Sequence, residues 1–226
     1  MGNMCKIDMK LIKERGITRL CHFTKSKNLP HILGEFGGIK SSDKIPNHYK
    51  DVNDLLRLDG KVSHICCSVE YPNLYYFGSI KDNDKLFKDW IILLINPKVM
   101  SEIDCLFSPV NAATEKGKYI KEGVEGFNKM YENTISTNRR RIRRSLNIPK
   151  ECPTDFQAEV LVKEYIGNEY IEGIIVQNEE QARHEKFKLS ILGLDKKIKV
   201  YVSEDAFSKS IYDGIKNGIK PKERIV

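Results

Sequence analysis

Six consecutive apolar residues, Trp90-Ile91-Ile92-Leu93-Leu94-Ile95, make the most hydrophobic stretch of the chain. The run is too short to span a membrane and has the right length for a buried strand. Other β-branched or apolar runs predict strands at 19–23, 62–70, 89–96, 171–177 and 197–202. Residues 157–163, Gln157-Ala158-Glu159-Val160-Leu161-Val162-Lys163, predict a further strand after a loop containing Pro149 and Pro153. Alternate side chains of a strand share a face. Ala158, Val160 and Val162 are thus expected on a core face, with Gln157 and Glu159 together on the other. Helices are expected at 29–33 behind an Asn28 N-cap, at 115–131, at 204–216, and from Asn178 to about Leu189 with Gln181 in capping-box position. Residues 34–60 are polar, carry Gly37-Gly38 and Pro46, and read as a long loop with one helical turn near 52–58. Tyr71 to Phe77 reads as an aromatic, turn-prone connection. Strands and helices mix without regular βαβ alternation, and no linker or repeat interrupts them. The expected class is α+β, one domain over 1–226. Within it, 1–15 forms an extension or short helix and 132–156 a basic loop before the strand of Glu159.

Composition narrows this little. The chain has 226 residues, 40% hydrophobic and 31% charged, as a globular protein does. Neither a signal peptide nor a membrane span is visible, so a cytoplasmic protein without membrane association is expected. The six cysteines (Cys5, Cys21, Cys66, Cys67, Cys105, Cys152) show no paired spacing and read as reduced thiols. With five scattered histidines and no C-x-x-C, no metal site is expected.

Charge distribution changes the picture more. The net charge is +7, and Arg139, Arg140, Arg141, Arg143 and Arg144 fall within six residues, with no acid between Asn133 and Lys150. Such a run is either a solvated face or a surface for a polyanion, whose counterions it displaces.

Neither a G-x-G-x-x-G after a strand, nor a Walker A loop, nor a G-x-S-x-G elbow occurs, so a nucleotide site of the Rossmann or P-loop type is not expected. Four other pieces recur in order: His22-Phe23-Thr24 followed by Asn28-Leu29-Pro30-His31-Ile32-Leu33; Arg57 in Leu56-Arg57-Leu58-Asp59-Gly60; Tyr75-Tyr76-Phe77; and Gln157-Ala158-Glu159-Val160-Leu161-Val162. Together they resemble the DarT family of DNA ADP-ribosyltransferase toxins over about 19–176. The surroundings of the early strand and of the Tyr-Phe segment suggest a branch distinct from the thymidine-modifying members. Guanine and thymine both remain open as the acceptor, with a lean to guanine.

The resemblance implies a split of two mainly antiparallel sheets with flanking helices. It implies NAD as co-substrate, a base in single-stranded DNA as acceptor, release of nicotinamide, and a cognate ADP-ribosyl-hydrolase antitoxin for a monomeric toxin. Glu159 matches the catalytic glutamate. Arg57 matches an arginine near the NAD phosphates and the reacting base. His22, Thr24 and Asn28 match the NAD-contacting segment, and Tyr75 and Tyr76 the nicotinamide side. Gln157 and the five arginines are assigned to the DNA.

The chemistry suits these residue types. Breaking the nicotinamide–ribose bond builds positive charge on the sugar, which a carboxylate stabilises. Glu159 must then be ionised, hence solvated or hydrogen-bonded. Each residue also has a plainer role: His22 as a core histidine, Asn28 as a helix cap, Arg57 at the surface, the aromatics in the core. Asn73 and Asn111 lie near turns, which asparagine favours anyway. Rival functions are a protein-directed ADP-ribosyltransferase, a non-enzymatic nucleic-acid-binding module, and a nuclease faintly suggested by Asp155, Glu159 and Lys163.

Overall fold

The computed structural model describes residues 6–46 and 57–226. Helix α1 (Met9–Arg15), inside the expected N-terminal segment, is capped by Asp8, whose carboxylate accepts from the Lys10 amide. The strands are β1 (Leu20–Lys25), β2 (Gly38–Lys40), β3 (His64–Val69), β4 (Trp90–Ile95), β5 (Cys105–Ser108), β6 (Lys121–Glu122), β7 (Thr134–Ser136), β8 (Arg141–Arg143), β9 (Glu159–Lys163), β10 (Tyr165–Gly167), β11 (Ile171–Val176), β12 (Lys199–Val202) and β13 (Arg224–Ile225). The remaining helices are α2 (Leu74–Asn83), α3 (Val99–Glu102), α4 (Gly123–Lys129), α5 (Glu179–Ile191) and α6 (Ile211–Lys216). The protein is therefore of mixed α and β content.

Nine strands form one continuous sheet in the order β13-β12-β11-β4-β1-β3-β9-β5-β6. Neighbours are antiparallel except β11 and β12, which are parallel and joined through α5. Every residue of β4 is buried. Ile91, Leu93 and Ile95 enter one core and Trp90, Ile92 and Leu94 the other, as period-two alternation requires of a strand covered on both faces.

The expected pair of separate sheets is a single sheet here, with a narrow join. β1 meets β3 only at Leu20↔Val69 and Cys21↔Ser68. Beyond that point β1 stays on β4 through Lys25, while His64 to Cys67 of β3 pair with β9. The two strands part, and backbone groups on their facing edges need other partners. The His22 ring supplies one, its Nδ1 lying 2.9 Å from the Cys66 carbonyl oxygen.

β9 also departs from expectation. The strand starts at Glu159, and Gln157 lies in a turn closed by the Ala158 amide donating to the Asp155 carbonyl at 2.9 Å. Ala158 through Val162 are all buried, because β9 runs between β3 and β5. Val160 and Val162 face the main core, and Leu161 packs with Leu106 and Ala112 on the opposite side. The uncovered face predicted from alternation is therefore covered, and Glu159 is a buried acid.

Other elements differ locally. Tyr75 to Phe77 sit in α2 rather than in a turn; Asn73 caps that helix by accepting from the Tyr76 amide at 3.3 Å. The expected helix at 115–131 is broken by Glu115, Lys116 and Gly117, all at positive φ, and resumes only as α4. A Cβ on Gly117 would lie 2.8 Å from the Asp59 carbonyl oxygen, so the close approach of these two loops requires glycine. The segment after Asn28 is a wide turn at His31–Glu35 that closes with the Phe36 amide on the His31 carbonyl, not a capped α-helix. The expected late helix is α6, preceded by a separate short turn at Asp205–Phe207. The segment 132–156, expected as a basic loop, contains the β7–β8 hairpin. Within 34–60, β2 pairs with β10; the helical turn expected near 52–58 lies outside the described residues but for its last two positions.

Candidate active site

The parting of β1 and β3 opens a cleft. It is lined by His22, Phe23 and Thr24 of β1, the His64–Ser68 edge of β3, Asn28, Tyr76, the Asn111–Ala113 loop, Ile39 to Ser42, Arg57, Asp59, Asn73 and Glu159. Five of the residues expected to bind NAD or catalyse (His22, Thr24, Asn28, Arg57, Tyr76) thus come together with Glu159. Tyr75 does not join them: it is 45% exposed and stacks on Tyr212.

Glu159 is 7% exposed, and its Oε1 accepts from Asn111 Nδ2 at 2.8 Å and from Asn73 Nδ2 at 3.5 Å. Each amide has a fixed orientation. The Asn111 oxygen takes the Ala113 amide at 3.1 Å and the Asn73 oxygen takes the Tyr76 amide, so both NH2 groups are left to face the carboxylate. Burial nonetheless pushes Glu159 up to about 7, with Asp59 repelling it further; the Cys66 thiol, the Ala112 amide and Asn73 favour the charged form. The acid, expected to be solvated or hydrogen-bonded, is hydrogen-bonded but dehydrated, and it titrates near neutrality. Asn73 and Asn111 had read as turn formers. They are turn formers, and the same Asx geometry aims their amides; only the chain path reveals at what.

Arg57 sits at φ +39, in the left-handed region. Its guanidinium forks onto Asp59, with Nε to Oδ1 at 3.1 Å and Nη2 to Oδ2 at 2.9 Å. Nη1 donates to the His64 carbonyl at 3.0 Å and Nη2 also to that of Lys61. The bidentate face of the arginine expected near the NAD phosphates is thus already occupied by a carboxylate that is 6% exposed. Arg57 and Asp59 are a buried ion pair that brings cation and anion into the site together.

His22 is half-buried, its desolvation lowers its pKa, and its proton resides on Nδ1 because a carbonyl can only accept. Nε2 is then an acceptor. Asn28 Nδ2 donates to Thr24 Oγ1 at 3.0 Å, so these two act as one unit rather than as a helix cap. Lys40, which the sequence did not single out, adds a cation to the cleft and lies 4.6 Å from the Phe36 ring centroid.

The five arginines separate. Arg144 is tied down, donating to the Cys152 and Pro149 carbonyls at 2.8 Å each. Arg140 pairs with buried Asp155 at 2.6 Å. Arg139, Arg141 and Arg143 are exposed. Arg141 and Arg143 alternate with Ile142, which pairs with buried Ile135, so both arginines project from the outer face of the hairpin. Gln157, half-buried, donates its backbone amide to Asp155 Oδ1 at 3.0 Å and does not line the cleft.

Among the described residues, no three His, Cys, Asp or Glu side chains are grouped to hold a metal ion. Nor is any helix there long and apolar enough to cross a membrane. Cys21, Cys66, Cys67, Cys105 and Cys152 are free thiols.

No curated protein matches the chain by sequence. Among solved structures it is similar to Thermus sp. 2.9 DarT in complex with NAD+, with TM-score 0.62 and 14% identity over 85% of this chain and 98% of that one. It is similar to Thermus sp. 2.9 DarT in complex with ADP-ribosylated ssDNA, with TM-score 0.60 and 13% identity over 84% and 96%. Thermosipho africanus DarTG in complex with ADP-ribose gives 0.55 and 18% over 84% of this chain and 51% of that one. Likeness at these identities establishes a shared fold. The family model described as "ssDNA thymidine ADP-ribosyltransferase, DarT" matches residues 21–207, which contain every cleft residue described above. The chain belongs to the DarT family of single-stranded-DNA ADP-ribosyltransferases.

Proposed function

We propose that this chain transfers ADP-ribose from NAD to a base of single-stranded DNA and releases nicotinamide. The observation that carries the proposal is Glu159, a buried carboxylate whose Oε1 is held by two pre-oriented amides in a cleft between parting strands. Its ionised form stabilises the positive charge that grows on the ribose as the glycosidic bond lengthens. The amides favour that form and need no reorganisation when the charge appears. Tyr76 offers an aromatic face to the nicotinamide ring. His22 Nε2 and the Thr24–Asn28 unit supply hydrogen-bonding groups to the cofactor. Lys40 brings positive charge toward the diphosphate, and Arg57, with its fork on Asp59, orders the loop beside it. Relatives of the same fold hold NAD+ in one structure and ADP-ribosylated ssDNA in another.

Arg139, Arg141 and Arg143 are assigned to the DNA backbone, and Gln157, at the entrance to β9, to the acceptor base. Unstacking the base is cheap in a single strand, which favours that substrate. The enzyme acts as a cytoplasmic toxin, paired with an antitoxin that hydrolyses the modification. The base is read as guanine, from the branch resemblance; thymine is the base in the family description.

Labelled NAD and homopolymeric oligonucleotides test this directly. Label should move to one base, and Glu159→Ala should abolish the transfer. Label on poly-dT rather than poly-dG would correct the base; label only on protein would replace DNA as acceptor; binding without transfer would leave a nucleic-acid-binding module.

A further inference from the structure

Tyr75, Tyr212 and Phe156 form a column of stacked rings that the cleft does not use. Tyr75 and Tyr212 lie 5.0 Å apart between centroids at 21°, and Tyr212 and Phe156 4.6 Å apart at 7°. Tyr212, in the middle, is 1% exposed. Its hydroxyl donates to the Pro72 carbonyl at 2.9 Å and accepts from the Leu74 amide, which fixes the column to the start of α2. Tyr212 lies beyond the residues that the family model matches.

The two ends of the column differ. Phe156 is half-buried between Asp155, which holds Arg140 at 2.6 Å, and Gln157. Tyr75 is 45% exposed although one face is covered by Tyr212, so its exposed surface is the other face and the ring edge. Its chain neighbour Tyr76 lines the cleft. The column therefore connects the cleft, at α2, with the arginine hairpin, at Asp155.

We propose that Tyr75 is a stacking platform for a nucleobase of the acceptor strand next to the modified one, rather than a contact for nicotinamide. The proposal rests on single-stranded DNA being the substrate. A ring already stacked on Tyr212, which Phe156 backs in turn, loses little freedom when a base adds to the stack, so most of the stacking energy appears as affinity. Every base has a π-face, so the platform tolerates sequence. A duplex, whose bases already cover one another, cannot use it, and this selects for single strands.

The test walks 2-aminopurine through the positions flanking the acceptor base and follows its fluorescence on binding. One flanking position should be quenched by the wild-type protein. Tyr75→Ala should abolish that quenching and raise KM for the oligonucleotide about tenfold, while KM for NAD changes by less than about twofold. Tyr75→Phe should keep both properties, since the ring and not the hydroxyl matters. Quenching and KM unchanged in Tyr75→Ala would overturn the proposal, as would an equal rise in KM for NAD. If the wild-type protein moves no ADP-ribose to any oligonucleotide, the DNA-acceptor reading falls and takes the acceptor-strand platform with it, even where quenching by Tyr75 shows that bases stack there; transfer without Tyr75-dependent quenching overturns the platform alone. Absence of quenching in the wild-type protein removes the platform whatever the transfer.

Discussion

Glu159 makes folding and activity respond to pH in opposite ways, and replacing it by glutamine separates the two. In the unfolded chain the carboxyl ionises near its ordinary 4.5; in the native protein burial pushes it up to about 7. The native state therefore holds the proton more tightly over that interval. Ionisation costs the fold stability as pH rises from 4.5, and the full cost is present above 7. At 1.36 kcal/mol per pH unit the difference amounts to roughly 3 kcal/mol. Glu159→Gln removes the charge but keeps an oxygen for Asn111 and Asn73. The variant should match the wild type in acid and exceed it by about 3 kcal/mol at pH 8, a rise in Tm on the order of 10 °C for a chain of this size. Activity should run the other way. Wild-type kcat/KM should climb about tenfold per pH unit up to about 7 and then level off, and Glu159→Gln should be inactive throughout. Paired thermal melts of the two proteins from pH 5.5 to 8.5 are the assay. A Tm difference constant across that range would mean that the carboxylate is not dehydrated in the native state.

Three further outcomes follow from the same geometry. Asn111→Ala removes the 2.8 Å amide contact, worth about 1.5–3 kcal/mol for a charged acceptor, so the pH midpoint of kcat/KM should move upward by about one unit or more; an unmoved midpoint would exclude Asn111 from the control of Glu159. Asp59→Asn relieves the repulsion on Glu159 and should shift that midpoint toward acid, while breaking the buried pair with Arg57 should cost about 3–5 kcal/mol in urea unfolding; unfolding like the wild type would show the pair to be dispensable. Arg141→Ala with Arg143→Ala should weaken oligonucleotide binding and reduce the slope of log K against log salt by about 1.4, whereas the same change at Arg144 should mainly lower Tm because its guanidinium holds two carbonyls; an unchanged salt slope in the double variant would remove the hairpin from the DNA path.

What the sequence determined by itself is local and one-dimensional. The run Trp90–Ile95 could be read as a buried strand, because six apolar residues leave no face for water, and the structure covers it on both sides. Asn178 had to start a helix, and its side chain accepts from the Gln181 amide at 2.9 Å. His22, Arg57, Tyr76 and Glu159 could be singled out together through resemblance to a family, and the structure brings the four to one cleft. Tertiary structure decided the rest, because it depends on which segments meet. Period-two alternation placed Gln157 beside Glu159, but a turn at Asp155 changed the count, and strands on both sides buried what alternation left open. A helix over 115–131 was reasonable from its residues until the loop at Asp59 came close enough to demand Gly117 at positive φ. Five arginines looked equivalent until buried Asp155 and two backbone carbonyls claimed two of them. Asn73 and Asn111 are 38 residues apart along the chain, and only the parting of β1 from β3, with β9 between β3 and β5, brings both amides to one carboxylate oxygen. Dehydration then sets the acidity of Glu159, and dehydration belongs to the folded protein, never to a residue in a sequence.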